Sequence, residues 1–545
     1  RTFLFKIIKM KKLKLVCVAI AMACAAPSFA GGLLTNTNQH VAFNRMMSRE
    51  ASIGIDGVYY NPAGVVFMGE GHHLAINWQL AYQTRTINND YKLFTNNVNN
   101  PITPRDFKGK AFAPVIPSFQ YAYNKGKWSF QANFALTGGG GKCTFDDGLG
   151  SFEKIVSETA IAACGLAGVV DQTLGNTLGQ QGMEMFTSDQ AFGKTGKYSF
   201  NSYMHGRQYY YGLSVGAAYK FCDNFSAFLG VRGVYALTNY YGYVENINVG
   251  NMPLYKVLDP TKENAANIEL SCDQTGVGFT PIIGVDYKTG RWNFSAKYEF
   301  KTRIRLKNKS VNQTPSIGNL PANLANQMTG ILTAKYQQAG LPLEQAKQQA
   351  ENTTNTVLSD PKVGATMMGL KTQFDQKLNK AIGEYEDGKK IAGDIPGYLA
   401  LGIGYSPVDA VRVNVGFHWF DDKNATSYNN RNKELKRGTL EYNAGVEVDV
   451  NKKITLSTGW QNTNYGLSDE YMDDKSFVVG SNSAAIGGVY HINKKMDLNV
   501  AYFHTFYQHK KTSETVQLAA DKSIVYNSDY TRNNNVFAVG LDINF

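Results

Sequence analysis

Three short segments have residue types that carry enzyme chemistry in other proteins. Residues 212–216 (GLSVG) have the spacing of a nucleophile elbow, but they lie inside an alternating, strand-like run with no helical pattern after it. Residues 193–195 (GKT) end like a phosphate-binding loop, but Ser188 stands where that loop needs its first glycine. His72 and His73 are adjacent, so a strand would place them on opposite faces. We therefore predict no enzyme, no cofactor and no metal site.

Basic side chains at alternate positions suggest a different chemistry, the binding of a carboxylate. A cation in an otherwise apolar place pairs with a carboxylate strongly. Acidic residues at 299, 441, 447 and 449 share the face that we predict to be interior, so a self-neutralised, solvated interior is the alternative, and we assign no headgroup site. The candidate lumen cations are Arg232, Lys297, Lys301, Arg303, Arg305 and Arg412.

The N-terminal residues are typical of an export signal. Residues 10–14 (MKKLK) precede a short apolar run and the small-residue end PSFA, which predicts cleavage after Ala30. Residues 1–9 are interpreted as sequence upstream of the start at Met10, and lipidation of Cys24 is a competing interpretation with a poorer match. Residues 1–30 hold six of the basic and none of the acidic side chains, so the net charge falls from +11 to +5 without them. The basic charge is therefore no argument for a nucleic-acid partner.

Four cysteines remain after residue 30, which is sparse for a disulfide-stabilised protein. Cys143 and Cys164 fall in one predicted loop and could pair in an oxidising compartment. Four unpaired cysteines are an equally good interpretation.

The rest of the chain alternates between apolar and polar residues. Its apolar content of 43% argues against disorder, and no run of about 18 apolar residues occurs after the N-terminus, which argues against a helical membrane protein. In residues 292–306 the even positions are mostly apolar or aromatic and the odd positions polar or charged, and a membrane-crossing strand needs about nine to eleven residues. We predict fourteen strands, at 73–85, 113–124, 128–138, 208–221, 225–248, 270–287, 291–307, 395–406, 410–421, 437–450, 453–461, 479–492, 496–509 and 532–545.

Short turns alternate with long connections along these segments. This pattern predicts an all-β, 14-stranded antiparallel transmembrane β-barrel over residues 73–545, with long outer loops at 139–207 and 308–394. Aromatic residues cluster at the strand ends, as in interfacial girdles. The last strand ends on Phe545, which resembles the signal read by the barrel assembly machinery of the outer membrane.

Residues 31–72 lack period-two alternation and precede the first strand, so we predict that they form a hatch, or plug, inside the barrel. Within them Asn61, Pro62 and Ala63 resemble the Asn-Pro-Ala signature of the FadL/TodX family of outer-membrane transporters for long-chain fatty acids and aromatic hydrocarbons. The resemblance implies capture of a hydrophobic ligand by outer loops and lateral release through an opening at a kinked strand. Pro117, Pro281 or the glycines at 138–141 could form that kink, or only a bulge.

The two long loops contain apolar residues at helical spacing, such as Leu324, Met328 and Leu332. Short amphipathic helices there could form an apolar groove for an acyl chain, or could pack on one another as a lid, and both can hold. We therefore predict passive uptake of hydrophobic small molecules across the outer membrane of a Gram-negative bacterium, with outer-membrane lipids as neighbours. A water-filled general porin or a structural or adhesive barrel is the alternative function.

Overall fold

The computed structural model describes residues 33–315, 319–519 and 522–545. These residues form a closed antiparallel barrel of fourteen strands, which confirms the predicted fold class. The predicted export signal, residues 1–30, lies outside the described residues.

Each strand pairs with its neighbours in sequence, and the last strand pairs with the first from His73↔Asn544 to Tyr91↔Tyr526, which closes the sheet. Three strands consist of two segments. The strands are β1 Gly71–Tyr91, β2 Arg105–Lys125, β3 Trp128–Phe145, β4 Tyr198–Lys220, β5 Phe225–Val249, β6 Ile268–Thr289, β7 Trp292–Glu299 with Arg305–Gln313, β8 Lys390–Ala392 with Tyr398–Val408, β9 Val411–Phe420, β10 Thr439–Asn451, β11 Ile454–Asn464, β12 Ser481–Asn493, β13 Met496–Tyr507 with Lys510–Ala519, and β14 Lys522–Asn544.

All fourteen predicted segments overlap an observed strand, and most observed strands are longer. For example, β1 continues to Tyr91 although the predicted segment ends at 85. The added residues, such as Asn88 and Asp90, are polar on the outer face and still follow the hydrogen-bonded ladder of β14. The extra length therefore lies beyond the apolar band, where the sequence no longer alternates in hydropathy.

Helices occur before the barrel and in its long connections. Two short ones precede β1, and the others follow β3, β5 and β7. They are α1 Val41–Met46, α2 Gly57–Tyr60, α3 Gly150–Leu178, α4 Tyr255–Leu258, α5 Leu320–Gln338, α6 Leu343–Leu358 and α7 Pro361–Ile382.

Helix α3 is the one helix in the described part of the chain that is long and apolar enough to cross a membrane by length and composition. No such segment was expected from the sequence. Half of its most apolar stretch is buried in the protein, where it packs on α7 and on the ends of β4 and β5. The helix therefore belongs to the packed loop region above the barrel.

The outer surface of the barrel is apolar and ends in aromatic residues beside the short turns. Trp128 stacks with Phe130, and Trp292 stacks with both Phe294 and Tyr405. Inward positions of the same strands are mostly polar, for example Gln131, Asn293 and Asn414. The alternation read from the sequence is thus the difference between a lipid-facing and a lumen-facing surface.

Candidate functional site

Two adjoining apolar cavities lie in the loop region above the barrel. The larger has a volume of about 830 Å³ and is bounded by α3, α5, α7 and the β5–β6 connection. The second has a volume of about 690 Å³ and reaches Tyr240, Tyr243 and Tyr385. The two cavities share four lining residues and are therefore direct neighbours: Ile155, Val156, Ile268 and Phe374. The lining of both cavities is almost entirely apolar, which suits a small hydrophobic ligand.

The loop residues predicted to be helical form both a lid of packed helices and part of an apolar groove. Met328 and Leu332 are buried between helices, as in a lid. Leu324, Leu370 and Phe374 line the larger cavity, as in a groove. Lys475 is the charged residue among the lining residues of the second cavity, where its ammonium donates to the carbonyl of Ala381 at 3.2 Å. Lys475 lies in the connection between β11 and β12, which was not predicted to line a cavity.

Residues 33–70, which we call the plug, fill the barrel below these cavities. Most of them are buried, and α1 packs against β12 and β13. Polar wall residues hold the plug backbone: Lys297 donates to the carbonyl of Tyr59 at 2.6 Å, and Gln120 donates to that of Gln39 at 2.9 Å. The plug therefore obstructs the lumen through specific bonds rather than by loose filling.

Charged pairs tie the plug to β9 and β10. The imidazole of His418 lies between two carboxylates, 2.7 Å from Glu50 of the plug and 2.8 Å from Glu441 of β10. Burial alone would raise the pKa of Glu50, but the charge and hydrogen bond of His418 outweigh it and lower that pKa. Arg45 of the plug pairs with Glu447 of β10. These contacts make the plug part of the buried charge network of the wall.

Inward-facing glycines make room for the plug. A Cβ on Gly459 or Gly445 would overlap the carbonyl oxygen of Met46, and a Cβ on Gly402 would overlap Glu50 and Ala51. These glycines come from β8, β10 and β11, so the wall itself is shaped to the plug backbone. The sequence signal was available, because each of them occupies an inward position of its strand.

The Asn-Pro-Ala segment anchors the plug near the short turns. The amide nitrogen of Asn61 donates to Asp286 of β6 at 2.6 Å, and its amide oxygen accepts from the backbone of Gly64 at 3.1 Å. The carbonyl of Pro62 accepts from Gln131, and the carbonyl of Ala63 accepts from Ser226. Three strands therefore bind three consecutive plug residues.

Asn61→Asp is expected to loosen the plug, because it places a second carboxylate against Asp286 in a buried site. We expect protease cleavage within residues 33–70 to speed up by about tenfold or more. The reciprocal double variant, Asn61→Asp with Asp286→Asn, restores a donor and an acceptor and should return cleavage to the original rate. Equal cleavage of the single variant and the unmodified protein would contradict the anchoring role.

Three of the candidate lumen cations point inward, and each has an acidic partner. Arg232 contacts Glu299 at 2.6 Å, and Lys297 contacts the same carboxylate at 2.9 Å. Arg412 contacts Glu447 at 2.8 Å. Lys301 lies in the break of β7 and donates to the carbonyl of Asn424 at 3.0 Å. In this part of the lumen, basic and acidic side chains neutralise one another, as in the alternative that the sequence left open.

Arg303 and Arg305 do not point into the lumen, which corrects the expectation from the sequence. β7 is interrupted between Glu299 and Arg305, and both Glu299 and Thr302 are buried, so the inward positions change from odd to even across the break. Arg305 is exposed, although it contacts the buried Asp394 at 2.9 Å. A strict period of two cannot be carried across such an irregularity.

The wall has an opening in its hydrogen bonding between β2 and β3. The ladder joins Lys110 to Thr144 and resumes only at Phe119 and Phe134. Pro117 lies on one side of this gap, and the glycines at 138–141 lie on the other, where Gly139 and Gly141 have positive φ angles of 75° and 76°. Pro117 and the glycines, two of the three predicted kink positions, thus border the same gap. The third, Pro281, lies where the ladder between β6 and β7 is interrupted.

The start of the plug occupies the inner side of this gap. The backbone of Gly139 donates to Leu34 at 3.1 Å, the backbone of Asn36 donates to Thr137 at 3.0 Å, and the Asn36 side chain donates to the Gly139 carbonyl at 2.7 Å. A cavity of about 270 Å³ lies beside them and is bordered by Ile116 and Leu136. The plug therefore replaces β2 as a partner of the kinked β3.

The other residues that the sequence singled out lie in the barrel wall or are buried. Phe545 exchanges two backbone hydrogen bonds with His72 at the seam of the barrel. Ser214 lies within β4 and accepts from Arg232 at 3.0 Å. Cys143 and Cys164 are both free and buried. Among residues 33–315, 319–519 and 522–545, no group of His, Cys, Asp or Glu is arranged to hold a metal ion.

Two inward arginines were missed by the sequence analysis. Arg85 of β1 and Arg532 of β14 lie directly opposite each other in the ladder, and the Arg532 guanidinium lies 4.9 Å from the ring centroid of Phe477. Arg532 was taken as the first residue of its strand, but β14 begins at Lys522. Continuing the alternation toward the N-terminus would have identified it.

Comparison with solved structures finds the same barrel fold in other proteins. A FadL homologue from Pseudomonas aeruginosa matches 94% of this chain and 100% of its own, with 14% identity and a TM-score of 0.57. A TodX deltaS2S3 mutant monoaromatic hydrocarbon channel matches 94% and 100%, with 13% identity and a TM-score of 0.50. No protein-family model and no curated protein sequence matches. The chain thus has the FadL-type barrel fold.

Proposed function

We propose that this protein takes up hydrophobic small molecules, long-chain fatty acids or related compounds, across the outer membrane by passive diffusion. The observation that carries the proposal is the pair of neighbouring apolar cavities above a plugged barrel. A general porin needs an open aqueous lumen, whereas this lumen is filled by a bonded plug. The FadL-type fold supports the same function.

The positions of the cavities, the plug and the gap support the following route. A ligand enters between α3, α5 and α7, where the surface is apolar, and moves toward Tyr240 and Tyr385. Below, the plug blocks passage toward the short turns. The gap between β2 and β3 offers a lateral exit into the bilayer once the plug residues near Leu34 move.

Phe374→Asp tests the capture step. A carboxylate at Phe374 would line both cavities, and its desolvation would oppose an apolar ligand, so binding of a fluorescent fatty acid should weaken by about tenfold or more. Met368→Asp is the matched control, because Met368 lies on the same helix and its side chain is 72% exposed. The control should bind like the unmodified protein.

Uptake by a deletion strain that expresses each variant should follow the binding order. If the unmodified protein binds neither fatty acids nor aromatic hydrocarbons, and removal of residues 31–60 leaves a large ion conductance unchanged, the transport proposal is wrong and the porin alternative holds. If both aspartate variants bind normally, capture does not use the loop cavities.

A further inference from the structure

The outer surface of β7 beyond its break has a row of basic side chains, which we call the basic strip. It consists of Arg303, Arg305, Lys307 and Lys309, with Lys390 beside them on β8. All five are exposed, whereas the residues that alternate with those of β7 are buried: Thr302, Ile304, Leu306 and Asn308. The break in β7 therefore moves this whole row from the lumen to the outside of the barrel.

The strip concentrates like charges. Lys390 lies directly opposite Lys307 in the ladder, an arrangement that is unfavourable unless an anion is present. Arg305 contacts Asp394, and Asp273 lies opposite Lys309 but accepts from Asn239 at 2.8 Å. Within the described ranges, Arg303, Lys307, Lys309 and Lys390 make no ion pair within 4.0 Å. The strip thus has an excess of positive charge that the protein leaves open to the outside.

Exposed apolar side chains lie beside the first cations of the strip. Phe279 and Val277 of β6 are 70% and 63% exposed, and Phe300, three residues before Arg303, is 42% exposed. At about 3.3 Å per residue the four cations of β7 extend for roughly 20 Å toward the long connections. Basic residues on the lipid side of a barrel cost little at the membrane boundary and much more at its centre. The strip therefore marks the boundary on the side of the long loops.

We propose that the basic strip binds the phosphate groups of an anionic glycolipid of the outer leaflet, with its acyl chains on Phe279 and Phe300. Arginine binds phosphate with two parallel hydrogen bonds, lysine adds point charges, and clustered cations at a membrane surface attract anionic headgroups. A soluble acidic partner would not need the adjoining apolar surface. The inference rests on the membrane placement in the proposed function, but not on the identity of the transported ligand.

The test compares two triple variants of the full chain in detergent. Arg303→Gln/Lys307→Gln/Lys309→Gln removes three charges of the strip, and Lys127→Gln/Lys288→Gln/Lys452→Gln removes three exposed charges at the short turns. Native mass spectrometry with diphosphoryl lipid A should show binding at least about tenfold weaker for the first variant and unchanged for the second. Fully dephosphorylated lipid A should bind weakly to all three proteins.

Equal binding of diphosphoryl lipid A by the strip variant and the unmodified protein would overturn the inference, as would equal losses in both variants. Preference for a soluble polyanion over the lipid would assign the strip to a different partner and also overturn it. Fatty-acid binding in the loop cavities is measured on the same samples. If that binding is absent while the strip retains lipid, the proposed function fails and the lipid site stands.

Discussion

Gly459→Val is expected to displace the plug and to turn an obstructed barrel into one that conducts ions. The added side chain would overlap the backbone of Met46, which cannot move away by a change of rotamer. The wall at this position is held by ladders to β10 and β12, so the plug is the part that yields. In planar bilayers we expect frequent large conductance steps, which the unmodified protein should show rarely.

Gly233→Val is the matched control for this variant. Gly233 also lies in a strand, but the nearest atom to an added Cβ is a ring carbon of Phe279 at 3.7 Å, an ordinary contact. Heat-modifiable mobility in gels shows whether each variant has formed a folded barrel. A folded Gly459→Val barrel that remains as closed as Gly233→Val would refute the view that the wall glycines fit the plug.

His418→Leu is expected to release the plug on the side of β9 and β10. The substitution removes the group between two buried carboxylates, Glu50 and Glu441, and breaking a buried ion pair in this way typically costs about 3–5 kcal/mol. Hydrogen exchange should then become faster in residues 41–60, while the strands remain protected. Adding Glu50→Gln removes one charge and should restore much of the protection, which a general packing defect would not allow.

The low pKa of Glu50 gives the direction of the pH dependence. A carboxylate whose pKa is lowered in the folded protein contributes stability at neutral pH and loses it as the pH falls through the lowered value. Acidification should therefore increase exchange in the plug of the unmodified protein, and the Glu50→Gln variant should respond less. An identical pH response in both would show that Glu50 is not the titrating anchor.

The barrel was predictable because apolar and polar residues alternate wherever a strand has one face toward lipid and the other toward the polar lumen. Each transmembrane segment carries the signal locally, as residues 292–299 do. The polar ends of the strands carry no such contrast, so Asn88 and Asp90 were left out of β1. Helices in the long loops were predicted for the same local reason, since Leu324, Met328 and Leu332 share one face of α5.

The site was less predictable because it depends on contacts between distant segments. The neighbours of Asn61 in β6 and of Glu50 in β9 are more than 200 residues away in sequence. Arg303 and Arg305 were assigned to the wrong face because one irregular stretch after Glu299 reverses the alternation. Pro117 and Gly139 were each recognised as irregular, but only the fold shows that they border the same gap.

The plug is joined directly to the seam between β1 and β14. The plug ends at Glu70 and β1 begins at Gly71, so no linker separates the enclosed segment from the strand that closes the barrel. Once His73 pairs with Asn544, the plug lies within a closed ring of hydrogen bonds. Any displacement of the plug near Glu70 therefore acts directly on the strand that closes the barrel.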